Sequence, residues 1–177
     1  MCGIVGFTGK ENKELLYQMA QKVKHRGPDD SAEYFEENIN IAFRRLSIVD
    51  LNNGNQPFVD KNKKIVIFCN GEIYNHLEIR ERLEKKGYIF KTKNDCEVIL
   101  FNYLDKGEDF VNDLNGMFFI IIWDGAKKKL ILIRDRMGIK PGYFIKFKEQ
   151  VYFSSEIKPF LKINNINLNL DLSSINN

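Results

Sequence analysis

The sequence predicts an α+β fold, a four-layer αββα sandwich of two antiparallel sheets flanked by helices. Two unbroken apolar runs, residues 65–69 and 117–123, are typical of strands that are buried on both faces. Neighbouring strands separated by short turns predict hairpins and therefore antiparallel pairing. Segments with helical spacing supply outer layers, and stacking the two sheets between them would bury every apolar face.

The first part of the chain predicts a strand, a helix and a hairpin. Residues 4–7 are a short apolar strand, and residues 11–25 carry apolar side chains at helical spacing. Gly27 and Pro28 then interrupt the helix. A hairpin and a further short strand follow, at residues 32–36, 39–43 and 46–49.

The second part predicts two helices and two hairpins. One helix begins at Asn75, which forms a capping pair with Glu78. The next begins at Asp95 as N-cap and ends at Gly107. The hairpins, and a short helix capped by Ser155, follow at residues 117–124 with 130–134, 143–147 with 150–154, and 155–161.

Composition excludes several classes of function. The 177 residues, 44% of them hydrophobic, predict one globular domain spanning the chain. A net charge of only +3 from interspersed lysines and acids gives no support for nucleic-acid or membrane-surface binding. We find no signal peptide and no apolar run long enough to span a membrane. Three widely spaced cysteines argue against a disulfide framework or a metal site and predict a cytoplasmic protein.

Cys2 is the first candidate for chemistry. If Met1 is removed, the residue carries a thiol and a free α-amine, whose pKa of about 7.7–8.0 makes it a base near neutral pH. If Met1 stays, that nitrogen is an amide and the catalyst is unprocessed. The alternative interpretation is a small apolar residue near the terminus. A Cys–His dyad with His25 or His76 is a third, which we rank below the α-amine.

The pair Asn70-Gly71 follows a buried strand. One interpretation is a hairpin turn, but the next residues lead into a helix instead of a second strand. The other is an oxyanion hole formed by the Asn70 side chain and the Gly71 N–H. Asp95 fits either a helix N-cap or a carboxylate that binds a substrate ammonium group, and Glu72 is either solvated or similarly used.

Arg45 follows Arg44 in a predicted strand. Successive side chains in a strand face opposite sides, so one of the two guanidinium groups can point inward. A guanidinium is well suited to bind a carboxylate through two hydrogen bonds.

Taken together, these segments resemble the glutaminase domain of class II (N-terminal nucleophile) glutamine amidotransferases, and within that class the asparagine synthetase branch. The matching segments are residues 1–6 (MCGIVG), 25–29 (HRGPD), 45–50 (RLSIVD), 56–57 (QP), 70–76 (NGEIYNH), 95–99 (DCEVI), 116–118 (GMF), 134–141 (RDRMGIKP) and 153–158 (FSSEIK). The resemblance covers nearly the whole chain and implies the N-terminal nucleophile hydrolase fold.

The resemblance implies roles for individual residues. Cys2 would attack the glutamine carboxamide, and Asn70 and Gly71 would hold both the substrate and its tetrahedral oxyanion. Substrate binding would further involve a cation for the α-carboxylate, two anions for the α-ammonium and two pocket-lining residues, namely Arg45, Glu72, Asp95, Ile48 and Val49.

The resemblance also implies which cofactors and partners the domain works with. The glutaminase half needs no metal or cofactor, whereas ATP and Mg²⁺ belong to a synthetase domain or partner that receives the ammonia and amidates aspartate. We expect the chain to be C-terminally truncated without that domain, and a homodimer is a further expectation. Two alternatives remain, an amidotransferase of a cell-envelope or polysaccharide pathway and a non-catalytic glutamine-binding module.

Overall fold

The structure is a computed structural model that describes residues 1–46, 55–60, 62 and 64–166. Most of the strand predicted at residues 46–49, including Ile48 and Val49, lies outside the described residues. Within them, the strands are β1 (Gly3–Thr8), β2 (Asp30–Glu36), β3 (Ile39–Arg45), β4 (Phe58–Asp60), β5 (Ile65–Ile73), β6 (Gly116–Asp124), β7 (Lys129–Arg134), β8 (Tyr143–Phe147) and β9 (Gln150–Ser154). The helices are α1 (Lys13–Gln21), α2 (His76–Lys85) and α3 (Glu97–Lys106), with 3₁₀ turns at Lys24–Arg26, Gly107–Asp113 and Lys158–Lys162.

The strands form two sheets, with the orders β2-β3-β1-β9-β8 and β4-β5-β6-β7. Every neighbouring pair is antiparallel, as the hairpins predicted. Phe43 and Phe153 of the first sheet pack against Phe68 and Phe119 of the second, which places an apolar layer between the sheets.

Helices cover both outer faces. Helix α1 buries Leu16 and Met19 against the first sheet, and helices α2 and α3 bury Leu83 and Ile99 against the second. This arrangement confirms the predicted αββα sandwich. Across the described ranges, no helix has both the length and the hydropathy needed to cross a bilayer.

Helix ends differ from the prediction because tertiary partners compete for the capping groups. Asn75 precedes α2, but its side chain donates to Asp113 O and accepts from Asn115 N instead of capping the helix. Helix α3 begins at Glu97, so the prediction of Asp95 as its N-cap is wrong. The Asp95 carboxylate instead accepts a hydrogen bond from Ile73 N at 2.7 Å.

The terminal helices are also shorter than predicted. Asn12 caps α1 by accepting from Leu15 N, and the helix ends at Gln21. The segment predicted as a helix after Ser155 contains only a 3₁₀ turn at Lys158–Lys162, and Ser155 does not cap it, since its hydroxyl accepts a hydrogen bond from Ile4 N of β1.

Strand β5 continues through Asn70 and Gly71, which pair with Phe119 and Phe118 of β6. The two residues therefore lie within a strand, and the hairpin-turn interpretation is wrong. A Cβ atom at Gly71 would lie 2.2 Å from Met117 O, so glycine is required for the close approach of β6.

Candidate active site

A cavity at one end of the sandwich gathers the predicted site residues. All six that the structure describes line it, from the residue before β1, from β3 and β5, and from the segment before α3, namely Cys2, Arg45, Asn70, Gly71, Glu72 and Asp95. These residues lie up to 93 positions apart in sequence, from residue 2 to residue 95, so only the fold brings them together. The predicted pocket residues Ile48 and Val49 lie outside the described residues.

The Cys2 sulfur is half-buried and lies beside the end of β3. Its Sγ accepts a hydrogen bond from Leu46 N at 3.4 Å. Burial raises the pKa of the Cys2 thiol, while the Leu46 amide and the terminal amine act in the opposite direction. A thiol with a raised pKa stays protonated near neutral pH, so it needs a base before it can attack.

The terminal amine has the opposite shift. Burial lowers the pKa of the Met1 α-amine, and the positive charges of Arg26 and Lys140 lower it further, against the effect of Cys2. A lowered pKa increases the unprotonated fraction, which is the form that can act as a base. In the present chain this amine belongs to Met1, and removal of Met1 would place a free amine on Cys2 itself.

An ion cluster holds the main chain of Cys2. Arg26 Nε donates to Cys2 O at 2.9 Å, and Arg26 Nη1 donates to Glu156 Oε1 at 3.1 Å. His25 Nε2 lies 2.8 Å from the same carboxylate oxygen. Neither His25 nor His76 is among the residues that line the cavity, so a Cys–His dyad has no geometric support.

Asn70 provides a buried side-chain amide whose N–H donors make no hydrogen bond to any residue that the structure describes. Its side chain is 1% exposed, and Nδ2 has no hydrogen-bond partner within the described part of the chain. Side chains alternate along a strand, so Asn70 faces the other sheet as Phe68 does. A buried donor without a partner costs free energy, and Asn70 Nδ2 is available to donate to a group that enters the cavity.

Gly71 lies between two occupied positions on one edge of β5. Backbone groups of alternate residues face the same edge, so the amides of Cys69, Gly71 and Ile73 point away from β6. Cys69 N donates to Gln56 Oε1, and Ile73 N donates to Asp95 Oδ2. The Gly71 N–H therefore faces the cavity between these two bonded neighbours.

Charged groups surround the same cavity. Arg45 is 6% exposed and faces the space between the sheets, as Phe43 does two residues earlier, whereas Arg44 faces the other way. Arg45 Nη1 donates to Asn55 Oδ1. The guanidinium of Arg45 and the carboxylates of Glu72 and Asp95 thus border one pocket, which complements a free α-amino acid with its carboxylate and ammonium groups.

Several residues of the cavity were not predicted. They include Gln56, Cys69, Asn94, Cys96 and Lys140. Gln56 and Lys140 belong to segments that match the family, but nothing in their residue type indicates a contact with the site. Bonding to Cys69 and burial raise the pKa of the Cys96 thiol, so Cys96 stays protonated and does not compete as a nucleophile.

The described residues contain no cluster of side chains suited to bind a metal ion. Among the residues that the structure describes, we find no group of three His, Cys, Asp or Glu side chains suited to hold an ion.

Known proteins resemble this chain in sequence and in fold. A family model described as a glutamine amidotransferase domain matches residues 1–177. Asparagine synthetase [glutamine-hydrolyzing] 2 of Bacillus subtilis (strain 168) is 44% identical over 162 residues, 89% of this chain and 21% of that protein. Asparagine synthetase B [glutamine-hydrolyzing] of Escherichia coli (strain K12) is 39% identical over 170 residues, 92% of this chain and 30% of that protein. The chain thus spans less than a third of either relative.

A solved structure extends the likeness to the fold. The glutamine phosphoribosylpyrophosphate amidotransferase of B. subtilis, complexed with ADP and GMP, superposes with a TM-score of 0.74 at 18% identity. The match covers 90% of this chain and 43% of that chain and shows the N-terminal nucleophile amidotransferase fold. Together with the family match over all 177 residues, it confirms the resemblance: the chain belongs to the glutamine amidotransferase domain family.

Proposed function

We propose that this chain hydrolyses L-glutamine to glutamate and ammonia through a thioester on Cys2. The observation that carries the proposal is the convergence of groups in one cavity. A half-buried thiol next to the terminus meets the unpartnered Asn70 amide, the Gly71 N–H and the charges of Arg45 and Asp95. This set of groups supports an acyl transfer from glutamine, which needs a nucleophile, a base and donors to an oxyanion.

The α-amine that Cys2 gains when Met1 is removed takes the thiol proton. The sulfur attacks the side-chain carboxamide carbon of glutamine, and the oxygen becomes an oxyanion that Asn70 Nδ2 and Gly71 N–H stabilise. The protonated amine gives its proton to the nitrogen as the C–N bond breaks, and ammonia leaves. Water, activated by the same amine, then attacks the thioester and releases glutamate and the free thiol.

The other end of glutamine is held by the charged groups. Arg45 binds the α-carboxylate, and Glu72 and Asp95 bind the α-ammonium. These contacts hold the α-carbon end of glutamine, which is remote from the reacting amide. The carboxamide carbon then reaches Cys2 with little further loss of translational and rotational entropy.

The ammonia passes to an acceptor outside this domain. We assign it to a synthetase domain or subunit that uses ATP and Mg²⁺ to amidate aspartate, supported by the names of the two relatives and by the small share of their length that this chain spans. The glutaminase half itself uses no cofactor. A homodimer and a cytoplasmic location belong to the same proposal, and an acceptor in a cell-envelope or polysaccharide pathway is the alternative.

The test uses the chain with Met1 removed, as verified by intact mass. We expect release of glutamate and ammonia in equal amounts from glutamine, and complete loss of release in Cys2→Ala. Calorimetry should still detect glutamine binding to Cys2→Ala, because the charged groups remain. Binding of glutamine without any glutamate release by the processed wild-type chain would instead identify a non-catalytic binding module.

A further inference from the structure

The side chain of Gln56 makes two hydrogen bonds with the main chain of one residue, Cys69. Gln56 Nε2 donates to Cys69 O at 2.9 Å, and Cys69 N donates to Gln56 Oε1 at 2.6 Å. Cys69 directly precedes Asn70, and Gln56 itself lines the cavity. The carboxamide thus uses its donor and its acceptor on the strand that carries both proposed oxyanion donors.

This pair of hydrogen bonds extends the β4–β5 ladder beyond Phe58, where the main-chain pairing of β4 ends. Strand β4 pairs Phe58 with Ile67 and Asp60 with Ile65, and it begins at Phe58, directly after Pro57. Extending the same register would place residue 56 opposite Cys69, at a position where two main-chain hydrogen bonds are normally exchanged. The Gln56 side chain supplies those two bonds in place of its main chain.

The consequence is that β5 is held on both sides of Gly71. On the edge facing the cavity, Gln56 binds the Cys69 amide and Asp95 binds the Ile73 amide at 2.7 Å. Gly71 lies midway between them, and β6 holds the opposite edge. Without Gln56, the nearest main-chain pairing before Gly71 on this edge would be that of Ile67 with Phe58, four residues away.

We propose that Gln56 is a positioning residue for the oxyanion hole, an inference that rests on the proposed glutaminase activity. It fixes the backbone of Cys69, and with it the direction of the Gly71 N–H and the Asn70 side chain. Donors to a developing oxyanion are effective only when they are held in place before the reaction, since a displaced donor stabilises the transition state less.

Two variants separate this role from general packing. Gln56→Met keeps the length of the side chain and removes both hydrogen bonds. Gln56→Glu keeps an acceptor for Cys69 N, but when ionised it has no donor for Cys69 O. Gln150→Glu is the matched control, because Gln150 Nε2 likewise donates to a strand carbonyl, Thr8 O at 2.7 Å, and Gln150 does not line the cavity.

The first measurement is steady-state kinetics with the Met1-free chain. We expect kcat for glutamine to fall about tenfold to a hundredfold in both Gln56 variants, less than or similar to the loss of a whole oxyanion donor, with KM within about twofold. The ratio of kcat between Gln56→Glu and the wild type should rise as pH falls, because a protonated carboxyl group can again donate to Cys69 O. Gln150→Glu should show no such change.

The second measurement is inhibitor affinity. The Cys2 thiol adds to the aldehyde group of glutamate γ-semialdehyde and forms a hemithioacetal. The sulfur bonds to the aldehyde carbon, the thiol proton ends on the former aldehyde oxygen, and that oxygen lies at the oxyanion position. Glutamate occupies the pocket without forming that adduct. We expect the Gln56 variants to lose about tenfold more affinity for the aldehyde than for glutamate.

Unchanged kcat in folded Gln56→Met, or equal loss of affinity for both ligands, would overturn the positioning role. Failure of the proposed function looks different, because the processed wild-type chain would then release no glutamate. If Gln56→Met does not fold, Gln56→Glu decides the question through its pH-dependent kcat ratio.

Discussion

The sulfur of Cys2 lies 3.4 Å from the main-chain nitrogen of Leu46, the residue that directly follows Arg45. Strands β1 and β3 pair in antiparallel register from Gly3 opposite Arg44 onward, so one further step would place Cys2 opposite Arg45, and the Cys2 sulfur contacts the residue after it. Cys2 directly precedes β1 and Arg45 ends β3, so the proposed nucleophile and the proposed carboxylate-binding residue lie at the ends of adjacent strands of one sheet. Their separation is determined by a β ladder instead of a loop, which suits a site that must hold both ends of one substrate.

Arg45 variants test the binding of the substrate carboxylate. We expect Arg45→Lys to raise KM for glutamine about tenfold or more and to change kcat less, because a single ammonium replaces a planar group with two parallel donors. Arg44→Lys is the matched control on the opposite face of β3 and should leave KM unchanged. Glutamine affinity equal to that of the wild type in Arg45→Lys and Arg45→Ala would remove Arg45 from the binding site.

Two buried asparagines should respond in opposite ways. Asn70 Nδ2 is unpartnered, so we expect Asn70→Ala to lower kcat roughly 10²–10³-fold, as for loss of an oxyanion donor in other acyl-transfer enzymes. Asn40 is 0% exposed, and its side chain bonds Gly9 O, Lys10 O and Asn12 N. Asn40→Ala should instead lower the free energy of unfolding by about 1–3 kcal/mol, with kcat per folded molecule unchanged.

Kinetics and chemical denaturation of both asparagine variants check this contrast. Equal kcat losses in Asn70→Ala and Asn40→Ala would show that Asn70 acts through the fold and not through the oxyanion.

Gly71→Ala tests the packing of β5 against β6. The added methyl group would lie 2.2 Å from Met117 O and 2.6 Å from Phe118 Cα, which are backbone atoms that cannot move without disturbing the ladder. We expect a loss of at least about 1–3 kcal/mol of unfolding free energy, measured by denaturation. Gly87→Ala provides a comparison, because its φ of +90° costs backbone strain but its methyl group would meet nothing within 4 Å. A smaller loss at Gly71 than at Gly87 would contradict the steric explanation.

The layers of the fold could be predicted because they depend on apolar patterning, which is local. Strand alternation predicted in the same way that one of Arg44 and Arg45 points inward, but not which of the two. Asp95 shows where such reasoning ends. Its residue type favours a helix N-cap, but its carboxylate accepts a hydrogen bond from the main-chain amide of Ile73, 22 residues away. That competition depends on how β5 lies beside the segment before α3, which no local pattern encodes.

Gln56 shows the same limit more sharply. Its segment was recognised as part of the family pattern, yet its contact with Cys69 depends on the register of β4 and β5. That register is set by the pairing of β4 with β5, which brings together residues 13 positions apart and which no local pattern encodes. Glutamine is usually an exposed residue, so its type alone predicts no contact with the strand of the oxyanion hole.

The acid dependence of stability should reveal the cluster that holds Cys2. Burial acts to raise the pKa of Glu156, but hydrogen bonds and charges from Arg26 and His25 outweigh it and lower the pKa below its ordinary value. A carboxylate whose pKa is lower in the folded state stabilises the fold above its ordinary pKa, and this contribution disappears as pH falls through the folded value.

We therefore expect Glu156→Gln to lower the unfolding free energy by about 1 kcal/mol at pH 7, and the difference from the wild type to shrink as pH falls below the ordinary value of 4.5. Denaturant titrations of both proteins between pH 3 and pH 7 (roughly the range over which carboxylates titrate) measure this difference. Glu81→Gln is the control, because its exposed pair with Lys85 should contribute little at any pH. A difference that stays constant as the medium is acidified would show that Glu156 acts through packing, and that its charge does not hold Arg26 on the Cys2 carbonyl.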